Sequence, residues 1–206
     1  MKTKGILVVI SGFSGAGKGT LVTQLLERYS NYALSVSATT RSPRQGEKDG
    51  VHYFFKSREM FEQMIAGDEL VEYAEYVGNY YGTPKEYVYN RLEEGYDVIL
   101  EIEVQGAFKI KEKFPDAVLI FVAPPSAEEL LRRLQGRGTE TAEKIAERVN
   151  RAKEEAVYMP LYNQLLVNDD LETAVAELHA LIQSKHNDMS RNMDFVTEIQ
   201  EELSQL

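Results

Sequence analysis

The stretch Ile10-Ser11-Gly12-Phe13-Ser14-Gly15-Ala16-Gly17-Lys18-Gly19-Thr20 decides the fold. It follows the apolar run Ile6-Leu7-Val8-Val9-Ile10 and precedes Leu21-Val22-Thr23-Gln24-Leu25-Leu26, so the local order is strand, glycine loop, helix. The loop glycines let the backbone curl with its N–H groups pointing inward, and the positive end of the helix dipole sits behind them. Lys18 adds a mobile cation aimed at the same cavity. Such a nest binds the phosphates of a nucleoside triphosphate. The spacing Gly12-x-x-x-x-Gly17-Lys18 fits the phosphate-loop pattern with one departure: Gly19 stands where a Ser or Thr would ligate magnesium, and the hydroxyl arrives one residue later at Thr20.

Moving outward, β-branched apolar runs recur at 6–10, 96–102, 117–122 and 164–167, separated by helical patterns. That alternation is expected of a parallel sheet covered on both faces, an α/β chain. Between the first helix and the run at 96, the segments Ala33–Ser37, His52–Phe55 and Leu70–Val77 are short, aromatic and broken by glycines. They predict a small, mostly β lobe inserted into the sheet domain, with a helix near 58–66. Ser126-Ala127-Glu128-Glu129 has capping-box spacing, predicting a helix that ends near Gly136. The polar loop Gly136-Arg137-Gly138-Thr139-Glu140-Thr141 then leads into a long Ala/Glu/Arg-rich helix to about Tyr158, the pattern of a lid. The segment Lys185–Leu206 is a polar tail whose Met193, Val196, Ile199 and Leu203 have helical spacing, for a docking helix or a frayed one.

With 206 residues and 43% hydrophobic content, one well-buried domain with small lobes is expected. A formal net charge of -10 argues against nucleic acid or an anionic membrane as partner, so a bound nucleotide must meet local arginines. Cysteine is absent, which excludes disulfides, thiolate nucleophiles and cysteine metal sites. No stretch approaches 18 apolar residues and no signal-like segment precedes the first strand, so a cytoplasmic location is expected. The sequence leaves monomer and homo-oligomer both open.

Three further clusters carry chemistry. In Ser37-Ala38-Thr39-Thr40-Arg41-Ser42-Pro43-Arg44, followed by Gly46-Glu47 and Tyr53, two arginines beside hydroxyls and a phenol make a clamp for a dianionic phosphate. In Glu69-Leu70-Val71-Glu72-Tyr73 and Gly78-Asn79-Tyr80-Tyr81-Gly82-Thr83-Pro84, alternation places Glu72, Tyr81 and Thr83 toward one pocket. In Val98-Ile99-Leu100-Glu101-Ile102-Glu103, two carboxylates emerge at the end of a buried strand, the edge where α/β sheets bind ligands. His52, His179 and His186 are too scattered for a metal site and read as surface or helix positions.

These motifs, together with Gln105-Gly106, Ala123-Pro124-Pro125-Ser126, Gly136-Arg137-Gly138-Thr139-Glu140 and Val167-Asn168-Asp169-Asp170, occur in order over about residues 5–183. The chain closely resembles the guanylate kinases of bacterial type, nucleoside monophosphate kinases that phosphorylate GMP (and dGMP) with ATP and Mg²⁺ in purine nucleotide metabolism. The resemblance implies a P-loop NTPase-type core (about 1–33, 96–135 and 160–184), a GMP-binding lobe (about 34–95) and a small lid (about 136–159); it ends near residue 183, and the tail (185–206) is expected to be helical from its own spacing. It implies that Ser37, Arg41, Arg44, Tyr53, Glu72, Tyr81, Thr83 and Glu103 hold GMP. ATP would lie on Ser14, Gly15, Ala16, Gly17, Lys18, Gly19 and Thr20, with Arg133, Arg137 and Asn168. Lys18, Arg41, Arg133, Arg137 and Arg148 would act on the transferring phosphates, while Thr20 and Glu101 would meet the metal through water. Phe13, Gly19 and the pair Glu101/Glu103 stand where many members carry Pro, Ser and Asp.

The chemistry of guanine agrees with this. Its N1–H and 2-amino group are adjacent donors that carboxylates such as Glu72 and Glu103 satisfy, whereas adenine presents an acceptor at N1 and is rejected. A guanylate-kinase-like scaffolding module would not need Lys18, the glycine nest or Arg137, all of which are present. The Gly-Lys-Gly-Thr spelling is shared with adenylate kinases; Glu72, Glu103 and Gly-Asn-Tyr-Tyr-Gly favour guanine.

Overall fold

In the computed structural model, which describes residues 4–44, 46–76, 78–136 and 141–206, the apolar runs become strands, the inner ones buried on both sides. From the N-terminus the chain runs β1 (Leu7–Gly12), α1 (Lys18–Arg28), β2 (Tyr32–Leu34), β3 (Ala38–Thr39), β4 (Phe54–Phe55), α2 (Arg58–Ala66), β5 (Leu70–Tyr76) and β6 (Asn79–Pro84). It continues through α3 (Lys85–Glu93), β7 (Asp97–Glu101), α4 (Val104–Lys113), β8 (Val118–Ala123), α5 (Ala127–Gly136), α6 (Ala142–Ala156), β9 (Gln164–Val167), α7 (Leu171–His186) and α8 (Met193–Ser204).

Five strands form a parallel sheet in the order β2-β7-β1-β8-β9. Alternate residues of β1 serve opposite cores, as the period of two requires. Val8 and Ile10 pack with Leu21, Val22 and Leu25 of α1 and Val175, Leu178 and Ile182 of α7. Leu7 and Val9 pack with Val88 and Leu92 of α3 and Ala107 and Ile110 of α4. The sheet is therefore filled from both sides, which explains why β1 and β8 read as unbroken apolar runs rather than as alternating ones. Register aligns Ile10 with Glu101 and Gly12 with Val122, so the phosphate-loop sequence and the β7 carboxylates share one sheet edge.

The second sheet, β4-β3-β6-β5, is mixed: β3 pairs parallel to β4, while β6 pairs antiparallel to β3 and β5. Its core is small, with Ala38, Phe61 and Leu70 buried and Phe61 stacked on Tyr80 at 5.2 Å. Two placements correct the sequence reading. Residues 33–34, assigned to the inserted lobe's first strand, belong to β2, an edge strand of the main sheet paired with β7. Three residues at an edge, beginning with a tyrosine, lack the apolar signature of the inner strands. Helix α3, inside the expected lobe range, packs against the main sheet through Val88 and Leu92.

The capping prediction holds for the start and end of α5, where Glu129 N donates to Ser126 Oγ at 3.0 Å. The Glu129 carboxylate turns instead to Arg132 and Arg133, which hold its pKa down to about 2. At the opposite end of the sheet, Asp97 is 1% exposed. It accepts from Ile6 N (2.9 Å), Asn31 Nδ2 (3.4 Å), Gln183 Nε2 (3.0 Å) and His186 Nε2 (2.8 Å). His179 stacks on Tyr29 at 3.7 Å and pairs with the Tyr32 hydroxyl, so both α7 histidines are structural. The tail forms a helix, α8, with no buried residue.

Candidate active site

The loop after β1 is shaped by backbone proximity. A Cβ on Gly12, whose φ is +150°, would lie 2.1 Å from the Val122 carbonyl oxygen, so only glycine permits this approach to β8. Gly17, at φ +88°, caps the start of α1 and leaves room for Asn168, whose Nδ2 would stand 2.5 Å from an added Cβ. Asn168 is itself buried and donates from Nδ2 to the carbonyl of Ala16 at 2.8 Å. Its amide thus braces the loop from the end of β9, a role the sequence reading, which gave it to ATP, did not assign. Phe13 packs edge-on against Phe121 at 5.0 Å, and Gly15 lies over Leu130 and Leu134. Lys18 Nζ donates to the carbonyls of Gly12 (2.6 Å) and Phe13 (3.2 Å). Burial pulls its pKa below the ordinary lysine value, against the pull of Glu103, Glu101 and Glu155.

In the second sheet, the side chains expected to hold GMP fall in two groups, Arg41 with Tyr53 and Tyr81, and Glu72 with Thr83. Arg41 Nη2 meets both oxygens of Glu47 at 2.9 and 3.0 Å, and Glu47 also accepts from Arg44 N at 2.7 Å. That carboxylate orders the loop and holds the Arg41 guanidinium over the Tyr53 ring, 5.3 Å from its centre. Tyr81 completes the group 6.1 Å from Tyr53, while Ser37 precedes β3 and the Arg44 side chain is exposed. A register shift in β5 between Leu70 and Tyr73 lets two successive residues turn inward. Val71 enters the core against the main sheet, and Glu72, 8% exposed, accepts from Thr83 Oγ1 at 2.9 Å. Burial pushes the Glu72 carboxyl above the usual range, opposed by the Thr83 bond and by Lys109 and Lys113.

Between these two halves stand β7 and the arginines of α5 and α6. The Glu101 oxygens lie 3.8 and 3.9 Å from where a Cβ on Gly19 would be, beside Thr20 at the first turn of α1. Surrounding protein raises the Glu101 carboxyl although its tip meets solvent, and Lys18 opposes the rise. Arg133 donates to the Asn168 carbonyl at 2.9 Å and is held by Glu129 at 2.7 Å. Arg148 donates to Ser14 Oγ in the phosphate loop. Arg137 lies outside the described residues, as do Gly138, Thr139 and Glu140.

Arg151 and Glu155, which the sequence reading did not single out, also face this space: Arg151 Nη2 donates to Glu103 Oε2 at 2.9 Å and Arg151 Nε to Glu155 Oε1 at 3.0 Å. Their signal was the i, i+4 spacing three residues beyond Arg148 on a helix already expected. Among the described residues no group of three or more His, Asp or Glu is arranged to hold a metal ion, and no helix is long and apolar enough to cross a membrane.

The guanylate kinase family model matches residues 4–185. A guanylate kinase of Caldanaerobacter subterraneus subsp. tengcongensis is 51% identical over 202 residues, 98% of each chain. One from Halalkalibacterium halodurans is 55% identical over 185 residues, 90% of this chain and 91% of the relative. The crystal structure of guanylate kinase from Anaplasma phagocytophilum superposes with a TM-score of 0.76 at 32% identity, covering 96% of this chain and 95% of that one. With the glycine-built loop at the sheet edge, the buried Glu72–Thr83 pair and matches of this extent, the chain belongs to the guanylate kinase family.

Proposed function

We propose that this chain transfers the γ-phosphoryl group of ATP to GMP, and to dGMP, giving ADP and GDP or dGDP. The observation that carries the guanine assignment is Glu72: a buried carboxylate fixed through one oxygen by Thr83, an acceptor set that suits the N1–H and 2-amino donors of guanine. Arg41, Arg44, Tyr53 and Tyr81 grip the 5′-phosphate of the acceptor, with Glu47 presenting Arg41. One 5′-phosphate oxygen attacks the γ-phosphorus as the bond to the β-bridging oxygen breaks; no protein nucleophile intervenes. Charge spreads over the equatorial oxygens in that state, so Lys18 and the arginines supply the stabilisation.

Arg148 touches the loop at Ser14 and Arg133 lies beside Asn168, so both reach the phosphate end of ATP, and Arg137 is assigned the same duty. Closing these groups over the substrates excludes water and prevents ATP hydrolysis. The donor set at the start of α1, a threonine hydroxyl and the Glu101 carboxylate, is hard oxygen and fits a water-bridged Mg²⁺ that accompanies ATP. Bound there, Mg²⁺ would neutralise phosphate charge, and Thr20 and Glu101 would hold it through water.

The test is a coupled assay of ADP release with GMP, dGMP, AMP and UMP as acceptors. Turnover with GMP and dGMP, and background with AMP and UMP, is expected. Equal turnover of AMP would overturn the guanine reading.

A further inference from the structure

One lid-side helix holds both substrate sites. From α6, Arg148 reaches Ser14 in the phosphate loop, and Arg151, on the adjacent turn, reaches Glu103 Oε2 at the N-terminal end of α4. Behind Arg151 lies Glu155, 8% exposed although charged. Its Oε1 accepts from Arg151 Nε at 3.0 Å, while its Oε2 is buried with no hydrogen-bond partner among the described residues. A buried carboxylate with one oxygen unsatisfied is costly, and burial does push its pKa upward. An ion pair with a buried partner is weak grounds for stability, because desolvation offsets the attraction, so this one is not explained by holding α6 in place.

We infer that Glu155 is a positioning residue: it fixes Arg151 through Nε so that Nη2 aims Glu103 at the guanine base. The inference rests on the reading of Glu103 as a base contact. Arg151 engages only one oxygen of Glu103 in that bond, leaving the other to receive a base donor. Without Glu155, Arg151 would lose the bond that orients its Nε, and Glu103, 68% exposed, would be held less firmly. Because Arg148 binds the loop three residues earlier, α6 would register both nucleotides.

The experiment measures kcat and KM for GMP and for ATP in Glu155→Gln, Glu103→Gln, Arg151→Lys and the Glu155→Gln/Glu103→Gln double variant. The change Glu155→Gln keeps the volume of the buried side chain, and Arg151→Lys alters a partly exposed residue, so folding is preserved in at least one arm; melting temperature checks both. Expected is a rise in KM for GMP of about 3- to 30-fold in each single variant, with KM for ATP within about twofold, from loss of a charge-assisted bond. The double variant should be no worse than Glu103→Gln alone, since residues acting through one chain are not additive. Multiplying losses in the double variant, or equal changes in KM for ATP and GMP, would show a merely structural role and overturn the inference. If Glu103→Gln raises KM for GMP while Glu155→Gln does not, the positioning role alone falls. If Glu103→Gln leaves KM for GMP unchanged, the base-contact reading falls and the inference with it.

Discussion

The phosphate loop and the inserted lobe are built on opposite plans. The loop is a backbone object: Gly12 pressed on Val122, Gly17 on Asn168, and the strand beneath it packed into the large core shared by α1 and α7. The lobe is a side-chain object, in which Arg41, Glu47, Tyr53 and Tyr81 and the buried pair Glu72 and Thr83 supply the polar groups, and three residues, Ala38, Phe61 and Leu70, make up its buried apolar cluster. Phosphate is recognised by N–H groups that cannot vary with side-chain identity, whereas a base must be read by chosen acceptors. The difference assigns stability to one region and selectivity to the other.

Breaking the lobe should therefore give the largest effect. Phe61 is fully buried, and Phe61→Ala should cost about 3–5 kcal/mol. Calorimetric titration should show GMP binding lost and ATP binding kept; loss of both would mean that the two regions melt as one. Next comes Lys18→Ala, which removes the cation at the phosphates and should lower kcat by about 10²- to 10³-fold with little change in melting temperature. A near-native kcat would sink the loop assignment.

Glu72→Gln sharpens the comparison from the selective side. Loss of a charge-assisted bond should lower kcat/KM for GMP by about 10- to 150-fold, equivalent to roughly 1.5–3 kcal/mol, with less effect on inosine monophosphate, which lacks the 2-amino group. Equal losses for the two acceptors would show that Glu72 does not read that group. Stability should move the other way. A carboxyl whose pKa is raised by folding binds its proton more tightly in the folded state, so its contribution is greatest in acid and is lost as pH rises through the raised value. Urea unfolding should then favour Glu72→Gln over the wild type increasingly from acid toward neutral pH. The smallest effect is expected from removing residues 193–206: α8 buries no residue, so kcat and KM should stay within about twofold. A folded, inactive truncated protein would contradict this.

The same contrast explains what the sequence disclosed. The loop was legible because it requires glycines, a lysine and flanking apolar strands in fixed order. The parallel core was legible wherever a strand carried an apolar run, β9 at the sheet edge included, and β2 escaped because its three residues, beginning with a tyrosine, carry no such run. In the lobe, alternation suggested that Glu72 and Thr83 converge, but the register shift that turns both Val71 and Glu72 inward left no mark in the sequence. Glu155 was hidden for a related reason. A glutamate in an Ala/Glu/Arg-rich helix reads as solvated, and only its neighbours reveal that it is enclosed. The reach of Asn168 to Ala16 spans 152 positions and depends on β9 lying beside β8.

Asp97 places a constraint on the order in which the molecule can be made. Two of its four donors, Ile6 N and Asn31 Nδ2, precede it, and two, Gln183 and His186, lie near the end of α7. During vectorial synthesis the carboxylate is complete long before its last partners leave the ribosome, and closing the sheet around it earlier would bury a charge with half its bonds unmade. Helix α7 thus acts as the final clasp of the nascent chain. Ribosome-held chains ending at residue 182 should be digested readily at this end of the sheet, and those extended past His186 should resist; equal resistance would show that the sheet closes without the clasp.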